Sequence, residues 1–346
     1  MAEEFDTEEN DELFEHHRVV VDAGQGTVRL DKYLVDRLEK TSRTRIQDAC
    51  DADFVKVNGK PAKSNYKIKP LDVITIEMPY PMREVVLIPE NIPINIVYED
   101  DDVIVLNKQA GIVVHPGHGN YTGTLVNALI YHFENLPANT QHGQPRPGLV
   151  HRLDKLTTGI MVVAKTEAAI TNLSKQFYDR TTDRRYVAIV WGDIAEDGTI
   201  IGNTGRSFQD RKVFTVFPNG EHGKHAVTHY KVLERLGYIT VVECKLETGR
   251  THQIRVHMKH SGHTLFGDLE YGGNAVLKGT TFSKYKQFVE NCFTILPRQA
   301  LHAKSLSFHH PTTGEWMSFD SELPDDMQQV LAKWRRYTNA TKEHEL

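Results

Sequence analysis

The stretch 150–166, VHRLDKLTTGIMVVAKT, limits the fold more than any other. A charged cluster of His151, Arg152, Asp154 and Lys155 runs through Thr157, Thr158 and Gly159 into the apolar run 160–164. Five mostly branched apolar residues in a row read as a buried strand. Asp154 then lies on a short loop entering a rigid element, where catalytic side chains are commonly held. Arg152 and Lys155 favour its ionised form, because nearby cations stabilise a carboxylate. A structural salt bridge at a strand edge explains the same residues, since ion-pair networks also shift charge states. The rest of the chain has to decide between the two.

A chain of 346 residues suggests about two domains, with ample length for a real core. No apolar run approaches the ~20 residues that span a bilayer. The acidic opening has no signal-peptide pattern. Cys50, Cys244 and Cys292 are scattered and odd in number, so they form neither a disulfide framework nor a zinc pattern. A cytoplasmic protein is expected. The net charge of −5 hides an asymmetry. Residues 1–17 hold eight acids and no Lys or Arg, which leaves +3 for the remainder. Residues 1–24 are expected to be an acidic, disordered tail.

Residues 25–80 read as a first domain. Leu30, Tyr33, Leu34 and Leu38 fall on one helical face. Ser42 is a candidate N-cap for a second helix carrying Arg43, Arg45 and Gln47. A strand at 54–57 leads to the tight turn Asn58-Gly59, and residues 73–76 form a last strand. Lys56, Lys60, Lys63, Lys67 and Lys69 give the hairpin a basic face, which is an RNA-binding footprint or a solvated charged surface. RLDKYL, SRTRIQ and VKVNGKPAKSNYKIKPLDVI closely resemble the S4-type RNA-binding domain. Asp48, Asp51 and Asp53 depart from that family's more basic pattern, and Asp53 stands where glycine is usual. Asp tolerates a left-handed backbone, so the fold is expected to survive. Residues 81–92 read as a linker.

Residues 93–340 read as a second domain. Strands are expected at 94–97 and 103–106, with Asp100, Asp101 and Asp102 in the turn between them. Helices are expected at 122–136, 168–178, 250–260 and 323–334. Residues 184–192 form a strand with a basic, aromatic start, where Tyr186 is either core or site. Residues 193–225 read as loop, with strands at 226–236, 238–246 and 298–303. His252, His257, His260 and His263 invite a metal. The zincin spacing is absent, although His257 and His260 are ligand-like in separation. Arg250 and Arg255 suit phosphate or carboxylate, because the guanidinium is a planar fork of donors.

HRLDKLTTG, RRYVAIVWG, TGRTHQIRVHM, FGDLEYGG and RQALHAKSLSFHHPTTGE, in that order, resemble the RluA family of RNA pseudouridine synthases over residues 93–320. An S4-type domain ahead of that catalytic domain resembles the RluD type, which acts on large-subunit ribosomal RNA. Gln109, Thr158 and Thr264 replace a common proline, serine and proline. The resemblance implies an α+β fold, a small S4-type domain followed by a mixed, largely antiparallel sheet with a cleft across it. It makes Asp154 the catalytic aspartate, Tyr186 the active-site tyrosine and Arg255 the partner of the aspartate. Arg152 would help extrude the base or fill its place. His151, Arg250, Thr251 and Gln253, with Arg43, Arg45, Lys56 and Lys60 of the first domain, are the remaining RNA-facing candidates.

The implied reaction breaks the N1–C1′ bond of uridine, turns the uracil, and joins C5 to C1′. Nothing is added or lost, so no cofactor and no metal is expected. An ionised carboxylate near C1′ is required, as nucleophile at C1′ or as base at C2′, and the residues fit both routes. The uridine must leave its stack to reach it. The expected partner is ribosomal RNA within a pre-ribosomal particle, with no DNA, no membrane, and the protein a monomer. Two other readings stand beside this one: an RNA-binding assembly factor without turnover, and a metal-dependent RNA hydrolase using the histidines and Asp100–Asp102.

Overall fold

The computed structural model describes residues 14–38, 41–78, 87–117, 119–133, 136–139, 146–210 and 213–344. They divide into two compact units, one of residues up to 78 and one of residues from 87 onward.

The first unit holds β1 (Phe14–Val20), α1 (Leu30–Arg37), α2 (Arg43–Asp51), β2 (Val55–Val57), β3 (Lys60–Pro61) and β4 (Val73–Met78). Its sheet runs β1-β4-β2-β3, all antiparallel. Leu30, Tyr33 and Leu34 bury one face of α1 against Ile46, Val55 and Ile74. Ser42 caps α2 by accepting from the Arg45 amide at 3.3 Å. Asp53 takes the left-handed conformation, at φ 59°, and Asn58 and Gly59 turn the β2–β3 hairpin at φ 50° and 79°.

The unit begins earlier than expected. Residues 14–20 of the supposed tail form β1 along β4. Val19 and Val21, two apart, face the core, an alternation overshadowed by the seven acids at 3–12 ahead of it. Residues 1–13 lie outside the described residues. The supposed linker is shorter too. Leu87 packs on the second core, Asn127 donates to Ile88 O at 2.7 Å, and Glu90 accepts from the Gly123 amide at 2.9 Å. Residues 87–92 therefore belong to the second unit, and 79–86 lie outside the described residues.

The second unit opens with β5 (Ile96–Glu99), β6 (Val103–Lys108), α3 (Leu125–His132), β7 (Ala138–Asn139), β8 (Arg146–Pro147) and β9 (Thr158–Ala164). Next come α4 (Glu167–Asp179), β10 (Asp183–Trp191), β11 (Gly198–Arg206), β12 (Phe214–Phe217), β13 (Lys224–Arg235) and β14 (Ile239–Leu246). It closes with α5 (Gln253–His260), α6 (Ser283–Ile295), β15 (Leu301–His309), β16 (Trp316–Asp320) and α7 (Asp325–His344). The main sheet runs β12-β11-β13-β14-β10-β15-β9-β6-β5, with β16 also on β15. Among its described pairs only β15–β9 is parallel. Among the described residues no helix is long and apolar enough to cross a membrane.

Alternation along β10 explains the two cores. Tyr186, Ala188 and Val190 face one cluster with Leu153, Ile254 and Leu301. Val187, Ile189 and Trp191 face the other, with Phe266, Val289 and Trp334. A strand buried on both faces reads as one apolar run.

Three expectations for this unit are corrected. The supposed loop 193–225 contains β11 and β12. Its glycines are there for close packing: a Cβ on Gly202 would stand 2.5 Å from Val216, and one on Gly198 would meet the Tyr230 ring. The helix expected from residue 250 starts at Gln253, because His252 takes φ 54°. The strand expected from 298 starts at Leu301, after Arg298 has turned inward to Asp326. Asp100 does make the β5–β6 turn, its Oδ1 accepting the amides of Asp102 and Val103 at 2.8 Å.

Candidate active site

Asp154 sits on the loop entering β9, and that loop is held from beneath by two buried cations. Lys108 Nζ donates to the carbonyls of Gln109, Ile112 and Lys155 at 2.8, 2.9 and 3.1 Å. Burial pushes the Lys108 ammonium down to about 7, and the Asp154 charge works against that fall. Arg298 donates to Leu156 O at 3.0 Å while Asp326 holds its other edge at 2.7 and 2.8 Å. Gly159 then brings β9 against β15 at φ 119°, where a Cβ would stand 2.2 Å from Ala303 O.

Arg255 faces the loop from α5. Its guanidinium meets buried Asp268 at 2.7 and 2.9 Å, Glu270 at 2.7 Å and Asp154 at 3.4 Å. The Tyr271 ring lies 4.7 Å from its central carbon. His252 places Nε2 3.8 Å from Asp154, and its Nδ1 lies 2.9 Å from the Tyr271 hydroxyl. Burial holds His252 below its ordinary value despite the pull of Asp154, so the ring is neutral at neutral pH.

Tyr186 lies on β10 between Cys244 and Ala303, small neighbours that leave its ring free to face the cleft. It is 8% exposed. Burial raises its phenol, Arg184 lowers it and Asp154 raises it further; the net direction is up, so it keeps its proton at neutral pH. Asp154, Tyr186 and Arg255 line one cleft of about 800 Å³.

A family model for RNA pseudouridylate synthase matches residues 102–260, and one for the S4 domain matches 28–74. An uncharacterized RNA pseudouridine synthase of Chlorobaculum parvum is 47% identical over 92% of this chain and 97% of its own length. The chain belongs to the RNA pseudouridine synthase family. Among further relatives of this synthase, ribosomal large subunit pseudouridine synthase D of Zymomonas mobilis is 42% identical over 87% of this chain and 92% of its own. The solved human RNA pseudouridylate synthase domain containing 4 superposes with a TM-score of 0.50 at 25% identity, covering 70% of this chain and 93% of that one.

The expected site residues of the synthase separate into three groups. Asp154, Tyr186 and Arg255 come together, with Arg152, Arg250 and Thr251 exposed along the same cleft. His151 and Gln253 are structural supports. His151 Nε2 accepts from the Val162 amide at 3.0 Å and its ring stacks on Phe177 at 4.5 Å. Burial pushes that ring down to about 3, which keeps it neutral. Gln253 is buried, its Oε1 accepting from Thr248 and the Arg250 amide, its Nε2 donating to Val227 O and Thr228. No donor of Gln253 is left for RNA. In the first unit, Arg43 is tied to Asp31 at 3.0 Å and Lys56 to Glu77 at 2.6 Å, while Arg45 and Lys60 are exposed.

Sequence reasoning missed Asp268, Glu270, Lys108 and Arg298, and it read His252 as a metal candidate rather than as a neighbour of Asp154. The first two had a signal: an arginine on the buried face of a helix requires counter-charges, and FGDLEYGG carries the first acids after it in the chain. Lys108 had none, because its tie to the Asp154 loop is the carbonyl of Lys155, 47 residues away.

Proposed function

We propose that the synthase isomerises uridine in large-subunit ribosomal RNA, and that Asp154 carries the reaction on a uridine turned out of its stack. The observation that carries this reading is the placement of the Asp154 carboxylate 3.4 Å from Arg255 in a cleft it shares with Tyr186. Base and sugar separate as N1–C1′ breaks. The uracil turns, C5–C1′ forms, C5 gives up its proton and N1 gains one. The balance calls for no oxidant, reductant or added group.

Asp154 serves either as nucleophile at C1′ or as base at C2′. Arg255, fixed by Asp268, orients the carboxylate. Tyr186 offers a ring face to the uracil and a protonated hydroxyl to the proton transfer. Extruding the base costs a few kcal/mol in a duplex and less in a loop. The large-subunit assignment draws on relatives that bear that name, and the S4 domain supplies a second RNA contact.

The test is a pseudouridine map of ribosomal RNA from cells with and without the gene. Sites should vanish on deletion and return with the wild type but not with Asp154→Asn. That variant should bind RNA within a few fold of wild type. Wild-type turnover by Asp154→Asn sinks the role of Asp154. An unchanged map moves the substrate to another RNA.

A further inference from the structure

Arg184, on the cleft-facing start of β10, has no role in the reaction described above. Its guanidinium lines the cleft beside Asp154 and Tyr186. Its Nε is buried and has no hydrogen-bond partner, and the side chain makes no ion pair among the described residues. Among the cleft arginines this is unusual. Arg255 is spent on three carboxylates. Arg152, Arg180 and Arg250 are exposed, and Arg250 Nε donates to His225 O at 3.2 Å. A partly desolvated cation without a counter-charge is costly to keep.

The side chain is nevertheless held in place. Its central carbon lies over the Phe177 ring at 5.4 Å. Phe177 stacks on His151, and His151 is pinned to the β9 backbone through the Val162 amide. On another side Gly249 leaves room: a Cβ there would stand 3.0 Å from Arg184 Nη1. Packing thus fixes the guanidinium while its donors stay unspent, which is a preorganised site for an anion.

Charge indicates which anion. The cleft lining carries five arginines, Arg152, Arg180, Arg184, Arg250 and Arg255, against three carboxylates, Asp154, Asp179 and Glu247. A strand of RNA entering there meets a surplus of positive charge, which suits its phosphates. A planar fork of N–H donors matches the two non-bridging oxygens of a phosphodiester. We propose that Arg184 is the phosphate anchor of the cleft. It holds a phosphodiester that flanks the target uridine, and so sets C1′ over Asp154. This rests on the uridine reading above and adds a positioning residue to it.

The experiment compares wild type with Arg184→Gln, Arg184→Lys and Gly249→Ala. Binding to large-subunit ribosomal RNA is followed against salt. Binding to a stem-loop around a mapped uridine is followed with one neutral methylphosphonate at each flanking linkage in turn. Loss of one phosphate contact should lower the slope of log affinity against log salt by about 0.7 for Arg184→Gln, and weaken binding roughly tenfold. One linkage should weaken the wild type when neutralised yet cost Arg184→Gln nothing more. Arg184→Lys should recover the slope without the full affinity, since it lacks the fork. Gly249→Ala, which displaces the guanidinium and keeps its charge, should lose affinity at that same linkage, and it serves as the test if Arg184→Gln melts early. Equal sensitivity of Arg184→Gln and wild type at every linkage overturns the anchor. Binding is read apart from turnover, so a wild type that isomerises no uridine counts against the uridine reading instead.

Discussion

Asp268 grips the Arg255 guanidinium at 2.7 and 2.9 Å, whereas Asp154 stands 3.4 Å from the same group. The tight pair is the fully buried one, and Asp268 also accepts the amides of Glu270 and Tyr271. Arg255 is therefore anchored by Asp268 and only lightly engaged by Asp154, as the proposed role of Asp154 requires. Asp268→Asn should let Arg255 reorient. A displacement of about 1 Å can cost on the order of 100-fold in rate. The expected result is a fall of roughly that size in single-turnover rate, with RNA affinity within a few fold. An unchanged rate would show that Arg255 needs no anchor.

Gly159 is the joint between the Asp154 loop and the sheet. It takes φ 119°, and a Cβ there would collide with the Ala303 carbonyl at 2.2 Å. Gly159→Ala must strain the backbone or part β9 from β15. Either should destabilise the catalytic unit by about 3 kcal/mol. For a unit of this size that lowers the melting temperature by roughly 6–12 °C. A wild-type melting temperature would mean that the two strands separate without cost.

The strand 158–164 and the helical face of Leu30, Tyr33 and Leu34 were legible in the sequence, because burial there follows a simple period. The grouping of Asp154, Tyr186 and Arg255 in one cleft was legible only through whole motifs, since they are far apart in the chain. Period alone failed where packing replaced it. Gly198 and Gly202 look like loop residues and are strand residues pressed against Tyr230 and Val216. Gln253 looks like a donor for RNA, but its amide closes the turn ahead of α5. A polar residue's partners are set by tertiary neighbours, and no local pattern announces them.

Asp31 links the two helices of the first unit. It is fully buried, bridged by Arg29 at 2.9 and 3.0 Å, Arg43 at 3.0 Å and Gln47 at 2.9 Å. The Arg29 hydrogen bonds, opposed by desolvation and aided by Gln47 and Arg43, hold its carboxyl well below the usual range. A depressed folded value means the unfolded chain binds this proton first. The stabilisation is therefore complete above the unfolded value of about 4 and is lost as pH falls below it. Asp31→Asn should cost the first unit about 2 kcal/mol at pH 7 and flatten its stability between about pH 4 and pH 2. Denaturant melts at several pH values measure both, and an acid slope equal to that of the wild type would exclude Asp31 as its source.

The four basic candidates of the first unit should not contribute equally to RNA binding. Arg43 and Lys56 are engaged by Asp31 and Glu77, so a phosphate must compete with a carboxylate for them. Arg45 and Lys60 are exposed and make no ion pair among the described residues. Counterion release scales with the number of phosphates neutralised, at about 0.7 in log–log slope per contact on single-stranded RNA. Arg45→Gln with Lys60→Gln should lower the salt slope by about 1.4 on that basis, with the melting temperature unchanged. Lys56→Gln should lower it less, and Arg43→Gln should appear mainly as lost stability through Asp31. A slope unmoved by the double variant would place the RNA-binding face of this unit elsewhere. The aspartates at 48, 51 and 53, on α2 and the turn after it, give that outcome a physical basis, because they lie close to Arg45 in the chain and would repel a phosphate there.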